Sequence, residues 1–269
     1  MTLLLVVLLS AAALAGIYVL ILLRPRGRKP ADPRLLTDYA HRGLHGNGIP
    51  ENSLAAFRLA AEAGCGIELD VQLSRDGEVM VFHDYTLTRM TGKQEKLSEL
   101  SAAQLQTLSL SGTGETVPTF RQVLQLVDGR VPLLVELKGE DLNTRLCEKT
   151  AALLREYNGP YCVESFNPLL LRAMKKQLPQ VFYGQLYTNV CREKKKTTLL
   201  NLLLTAMVFN CLAGPDFLAY DQQDRHSLPV TLAAKLYRLP RFVWTVRTAE
   251  QMQAAKAAGE HEIFENVRP

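Results

Sequence analysis

The polarity pattern divides the chain into a long apolar start and a long alternating remainder. Leu3 to Leu23 is apolar almost throughout, interrupted only by Ser10, Gly16 and Tyr18. A run of about 20 such residues suffices to cross a bilayer as a helix, so residues 1–23 are expected to be a transmembrane anchor. The run lacks the basic start and the short apolar core of a cleaved signal peptide, although Ala11 to Ala13 could imitate a cleavage site. Residues 24–37 carry Pro25, Pro30 and Pro33 and read as a basic, proline-rich linker.

From Asp38 onward, short apolar runs alternate with amphipathic ones. Strands are expected to begin near residues 39, 67, 132, 161, 181, 217, 242 and 262, mostly separated by helices. Among these helices are one capped by Asn52 or Ser53 and running through Ala63, then Phe120 to Val127, Leu142 to Tyr157, Pro168 to Gln177 and Ala249 to Ala258. Eight strand–helix units over residues 38–269 predict an α/β fold of the TIM (β/α)8 barrel type. An open doubly wound sheet is the second choice. It leads one to expect a glycine-rich phosphate loop after the first strand, and HRGLHGNG at 41–48 is not GxGxxG.

The stretch ELDVQLSRDGEVMVFHD, Glu68 to Asp84, alternates, turns on Asp76-Gly77 and alternates again, as a hairpin does. With a two-residue loop Asp70 faces His83, and a register slipped by two brings His83 to Glu68. Either way Glu68, Asp70 and His83 gather at one spot. Glu68 and Asp70 are two apart and share a strand face, where two carboxylates repel unless a cation sits between them. Hard divalent ions take such oxygen ligands. The plain alternative is a surface hairpin with solvated charges. Glu136 and Lys138 share a face in the same way at the end of PLLVELK. In a TIM barrel, His41, Glu68, Asp70, Glu136 and Lys138 would all lie at or near strand C-terminal ends, where such barrels carry their chemistry.

Composition narrows the function classes. The chain has 269 residues, is 47% hydrophobic and has a net charge of +4. Arg24, Arg26, Arg28 and Lys29 account for four positive charges, which leaves the remainder near neutral and argues against a nucleic-acid partner. Five cysteines without CxxC spacing fit neither a disulfide framework nor a zinc site, and suit a reducing compartment. Because the basic residues follow the apolar run, the positive-inside rule puts the barrel in the cytoplasm, on a single-pass membrane protein.

HRG at 41–43, PENSLAAF at 50–57, ELDVQLSRDGEVMVFHD at 68–84, VELK at 135–138 and VWTV at 243–246 together resemble the glycerophosphodiester phosphodiesterase family. The resemblance implies a TIM barrel that splits glycerophosphodiesters into glycerol 3-phosphate and an alcohol with one divalent ion, Mg²⁺ or Ca²⁺. It implies His41 and His83 as the acid–base pair and Glu68, Asp70 and Glu136 as metal ligands. Arg42 and Lys138 would grip the phosphate, and Glu51 and Trp244 would line the site. His41 is the expected base, since Arg42 beside it favours the neutral imidazole. His45 lies in the same loop outside the matched motif, and His226 and His261 read as surface residues.

The C-terminal end departs from the family pattern. Arg247 stands where an Asn is common after VWTV, and Ile263-Phe264-Glu265-Asn266 replaces I-I-T-D. A further oddity is Thr197 to Leu212, which has no charge and follows Lys194-Lys195-Lys196. It reads as a buried crossover helix or as a helix lying on membrane lipid. An anchored enzyme could instead be a lysophospholipase D, with the same chemistry on an acylated substrate. A catalytically silent, membrane-tethered binding barrel would be expected to have lost histidines or carboxylates, and none is lost.

Overall fold

A computed structural model describes residues 2–139 and 143–267. Among the described residues nine strands form one sheet: β1 Tyr39–Ala40, β2 Gly66–Leu73, β3 Val79–Val81, β4 Leu133–Leu137, β5 Tyr161–Ser165, β6 Phe182–Tyr187, β7 Phe217–Asp221, β8 Arg241–Val246 and β9 His261–Phe264. All except β3 are parallel to their neighbours, and β1 pairs with both β2 and β9. The eight parallel strands therefore close into a TIM barrel, with β3 hung antiparallel on β2. Each expected strand start falls within a residue of an observed one.

Local chemistry explains the helices between them. Ser53 caps Leu54–Glu62 by accepting from the Ala56 amide, and the helix buries Ala56, Phe57, Ala60 and Ala61 against the sheet. Thr119 and Gln122 form a reciprocal capping box at the start of Phe120–Val127. Asn167 caps Pro168–Gln177, where proline occupies the first turn. The helix expected from Leu142 is observed as Arg145–Arg155, and Leu142 itself lies outside the described residues. A helix at Leu228–Tyr237 was not anticipated.

Period-2 alternation sorts each strand into an outer and an inner face. Leu69, Val71, Leu133 and Val135 join the outer core under the helices, while Leu134, Cys162, Phe182, Phe217, Ala219 and Phe242 fill the barrel. Leu35, in the turn Pro33–Leu35, closes the end where the strands start, and the Tyr39 hydroxyl donates to its carbonyl at 3.0 Å.

Three expectations are corrected. First, the hairpin pairs Val71 with Val81 and Leu73 with Val79, one residue off the expected register. Asp70 therefore lies across from Phe82, whose amide donates to its carbonyl at 3.0 Å, and His83 is carried just beyond the ladder. The cause is a three-residue loop, Arg75 to Gly77, closed by the Ser74–Glu78 pair, with Gly77 left-handed at φ 82°. Second, Thr197 to Leu212 is not one helix. It breaks into Leu199–Thr205 and Asn210–Ala213 around a left-handed Met207 at φ 53°. The ladder stops where the Ala206 carbonyl accepts from the Tyr18 hydroxyl at 2.9 Å.

Third, the 24–37 segment is no free linker. Arg26 Nε donates to Asp216 Oδ1 at 2.8 Å, and its Nη2 binds Asp216 Oδ2. Asp216 is fully buried, and it also accepts from the amides of Arg28 at 3.0 Å and Tyr183 at 3.1 Å. The apolar helix Thr2–Ile17 continues as a π-helical turn, Tyr18–Leu22. This turn docks on the barrel through Tyr18, through the buried Leu23, and through Val19, whose carbonyl accepts from the Tyr237 hydroxyl. Residues 3–22 are long and apolar enough to cross a membrane.

The clamp has a measurable consequence. In Asp216→Ala, Arg26 and two backbone amides lose their acceptor, which is expected to destabilise the barrel by about 3 kcal/mol. Thermal unfolding of the full chain in detergent would read this as a lowered Tm. An unchanged midpoint would mean that the segment is only tethered.

Candidate active site

The parallel register builds the site. Asp70 on β2 is the register partner of Glu136 on β4, which in turn partners Glu164 on β5. Glu68 sits two residues before Asp70 on the same inner face. Four carboxylates thus meet near the C-terminal mouth of the barrel, all almost fully buried. One oxygen from each of Glu68, Asp70 and Glu136 lies within 4.8 Å of the others. They line, or back onto, a cavity of about 250 Å³ bordered by His41, Arg42, His83, Lys138, Phe166 and Trp244.

Electrostatics follow from this crowding. Burial, then the charges of Asp70 and Glu136, raise the Glu68 carboxyl well above the usual range. Burial lifts Glu136 to about 7 despite Lys138. Burial works against an ionised Asp70 too, but Lys138, His83, Arg42 and a 2.8 Å hydrogen bond from Asn52 hold it far below its ordinary value. Lys138 Nζ bridges Asp70 Oδ1 at 3.1 Å and Glu136 Oε1 at 2.9 Å. Its own pKa is pushed up, the two carboxylates outweighing burial. An all-oxygen set of three crowded carboxylates, one kept acidic by neighbouring cations, fits a hard divalent ion.

The turn after β1 places the first histidine and the arginine. Arg42 is left-handed, with φ 56°, and the bend aims its amide at Glu68 Oε2 at 2.8 Å. A non-glycine residue held there points to a constrained, functional turn. A Cβ on Gly43 would come within 2.9 Å of the Ala56 backbone, so the bend needs glycine next. The Arg42 guanidinium reaches Glu51 Oε1 at 2.7 Å and lies 3.6 Å from Asp70 Oδ2. Glu51 also accepts from Arg89, at 2.7 and 2.9 Å, so it orients Arg42 from the rim.

Burial lowers His41 to about 4, with Glu265 working the other way and Arg42 adding a smaller push downward. The neutral imidazole expected from the sequence therefore owes more to burial than to Arg42. His83 is also lowered by burial, and its Nδ1 lies 2.6 Å from Asp84 Oδ1, which fixes the ring. Trp244 stands edge-on to Phe166, with ring centroids 5.8 Å apart, and forms the apolar wall.

Every site residue expected from the sequence is thus near this mouth. Sequence reasoning missed Glu164, Asn52, Phe166, Asp84 and Glu265. Glu164 had a signal, an acid closing the strand run YCVES. It is raised well above its usual range, chiefly by burial. Glu265 lies in the stretch that departs from the family pattern. Its Oε2 is 3.4 Å from His41 Nδ1 and accepts from Arg247 at 2.9 Å, and its Oε1 is 3.9 Å from His45 Nε2. The hydrogen bond to His41 leads the causes that hold Glu265 at about 2. His226 is exposed as expected, whereas His261 is half-buried against Phe242, with rings 5.0 Å apart.

A model of the glycerophosphoryl diester phosphodiesterase family matches residues 41–267. A glycerophosphodiester phosphodiesterase of Caldanaerobacter subterraneus is 36% identical over 159 residues, which cover 55% of this chain and 65% of that protein. One from Bacillus subtilis is 25% identical over 74% of each chain. Among solved structures, an Oleispira antarctica phosphodiesterase in complex with the product sn-glycerol-3-phosphate superposes with a TM-score of 0.70 at 23% identity, over 85% of this chain and 92% of that one. A Thermotoga maritima glycerophosphodiester phosphodiesterase gives 0.65 at 24%, over 85% and 94%.

If Glu68 is a ligand, Glu68→Gln removes one coordinating oxygen while relieving the mutual repulsion, so the fold should survive. Calorimetric titration with Mg²⁺ or Ca²⁺ is expected to show at least tenfold weaker binding, and added ion should no longer raise Tm. Unaltered affinity would exclude Glu68 as a ligand.

Proposed function

The chain belongs to the glycerophosphoryl diester phosphodiesterase family, and from that premise we propose that it hydrolyses glycerophosphodiesters to glycerol 3-phosphate and an alcohol. The observation that carries this reading is the convergence of three carboxylates, two histidines, Arg42 and Lys138 at one barrel mouth. Glu68, Asp70 and Glu136 would hold one divalent ion, Mg²⁺ or Ca²⁺. When bound, it supplies positive charge to the phosphoryl oxygens.

The chain's own residues do the rest. Arg42 and Lys138 present fixed positive charge to the phosphodiester and to the charge that grows on it during attack. His41, neutral through burial, accepts the proton of the attacking glycerol 2-hydroxyl, and Glu265 at Nδ1 steadies the imidazolium that results. His83, aligned by Asp84, donates a proton to the departing alcohol oxygen. A bound phosphodiester anion raises the His83 pKa, countering the effect of burial. Water then opens the cyclic phosphate with the two roles reversed. The silent-barrel alternative has no observation in its favour, since every expected group is present and gathered.

We further read residues 1–23 as a single membrane span with the barrel in the cytoplasm. Arg26 and Arg28 serve the barrel as well as the charge balance that orients the span, since Arg28 also donates to the Pro179 carbonyl at 2.7 Å.

Three outcomes are expected. Purified protein should release glycerol 3-phosphate from deacylated phospholipids in a metal-dependent way, and His41→Ala or His83→Ala should each cut kcat by about 10²–10⁴-fold. A base must be neutral, so the acid limb of the profile falls as pH drops through the pKa of the base, while the alkaline limb belongs to the acid, His83. With His41 lowered to about 4, the acid limb of kcat/KM should lie well below 6.5, the ordinary histidine value. A limb that stays at or above that value with the metal ion saturating, so that Glu68 and Glu136 remain ionised, would assign the base elsewhere. Protease added to intact cells should leave the barrel whole, and ready digestion would place it outside.

A further inference from the structure

The phosphodiester chemistry uses neither His45 nor the full set of contacts around Glu265, yet both side chains are gathered at His41. The barrel register brings them there. Ala40 on β1 is the partner of Phe264 on β9, and the His41 amide donates to the Phe264 carbonyl at 2.9 Å. The residues that leave these two strands, His41 and Glu265, are therefore neighbours. Glu265 is pinned from behind, its amide donating to the Val246 carbonyl at 2.8 Å. The loop after His41 doubles back through the left-handed Gly43, and the His45 amide donates to the Gly43 carbonyl at 3.0 Å. This returns a second imidazole to the same spot.

The three side chains have the spacing of metal ligands. One ligand atom from each of His41, His45 and Glu265 lies within 4.8 Å of the others. His41 Nδ1 is 3.4 Å from Glu265 Oε2, and His45 Nε2 is 3.9 Å from Glu265 Oε1. Zinc bonds of about 2.0–2.2 Å place tetrahedral ligands roughly 3.3–3.6 Å apart. The first pair already has that separation, and the second needs a small approach. A separate observation concerns His45. Its Nε2 is buried and has no hydrogen-bond partner among the described residues. A buried ring nitrogen calls for a partner, and a carboxylate oxygen at 3.9 Å is too far for a hydrogen bond.

The surroundings suit an ion. Glu265 accepts from Arg247 at 2.9 Å and from Asn266 at 3.4 Å, contacts that orient a ligating carboxylate and leave it lone pairs. Arg42 and Arg247 oppose a cation here, while Glu51 and Glu265 favour one, so the fixed charges near His45 balance. The three side chains are 14 to 17% exposed, which lets an ion enter from the rim without unfolding. Two imidazoles and one carboxylate select a borderline ion such as zinc, whereas Glu68, Asp70 and Glu136 offer only oxygen and suit a hard one.

We propose that His41, His45 and Glu265 form a second metal site, one that takes zinc and switches the enzyme off. The site stands on its own geometry, and its inhibitory effect rests on the phosphodiesterase reading. A working His41 keeps its proton on Nδ1, toward Glu265, and a lone pair on Nε2 to receive the proton of the attacking hydroxyl. Zinc takes the lone pair of Nδ1. The one proton of the neutral ring then sits on Nε2, which can no longer accept another. The ion thus disables the base without displacing the hard ion or blocking Arg42 and Lys138.

The test uses the full chain in detergent, with Mg²⁺ or Ca²⁺ saturating. Zinc is titrated calorimetrically into the unaltered protein, Glu68→Gln, His45→Ala and His45→Phe, the last keeping a ring in the space. Zinc should bind the unaltered protein and Glu68→Gln alike, and both His45 variants at least about tenfold more weakly. Without zinc, both His45 variants should hydrolyse glycerophosphocholine as the unaltered protein does. The zinc concentration that halves turnover should rise in them by the same factor as the dissociation constant. Zinc affinity that is unchanged in both His45 variants, or that is lost in Glu68→Gln, overturns the site. Zinc that fills the site without slowing turnover overturns the inhibitory role. Should the unaltered protein with Mg²⁺ or Ca²⁺ hydrolyse no glycerophosphodiester, the phosphodiesterase reading falls, and the calorimetry still decides the metal site.

Discussion

The structure depends on a repulsion that the fold imposes and the sequence then contains. Parallel register sets Asp70 beside Glu136 and Glu136 beside Glu164, with Glu68 one pleat below. Neighbouring strands lie about 4.8 Å apart, so these acids cannot separate. Lys138 and Arg42 enter the same space, Asn52 donates to Asp70, the Arg42 amide donates to Glu68, and the Glu51–Arg89 pair holds the Arg42 guanidinium from the rim. These companions come from the segments that follow three strands, β1, β3 and β4. The site is thus a property of the closed barrel, and no short segment of the chain contains it.

This explains what was legible in the sequence. Strand and helix positions followed from period and punctuation, which are local. The acidic cluster was legible because Glu68 and Asp70 share a face two residues apart, as Glu136 and Lys138 do. The hairpin register was not, because a three-residue loop and a two-residue loop both accommodate Asp76-Gly77, and only packing chooses between them. Glu164 offered the same signal as Glu136 but belonged to no matched motif. The break at Met207 depends on a hydroxyl from Tyr18, far away in sequence, which no local pattern encodes.

The stretch that departs from the family pattern is also used. Arg247 and Glu265 pair with each other, and Glu265 faces His41 Nδ1. A change at β8 and a change after β9 thus meet in space, behind the ring that would move the proton. The two departures are better understood as one altered support for His41 than as two losses.

The Arg26–Asp216 clamp changes what the N-terminal helix is mechanically. A basic, proline-rich segment of this length would ordinarily be a leash, leaving a domain free to tumble above its point of attachment. Here the helix is bolted to the barrel wall at Tyr18, Leu23 and Arg26, so helix and barrel turn as one body. A helix spanning a bilayer and mounted in this way holds the catalytic mouth at a set height and angle. For any ligand held in the same bilayer, encounter would then reduce from a search through a volume to lateral diffusion in a plane.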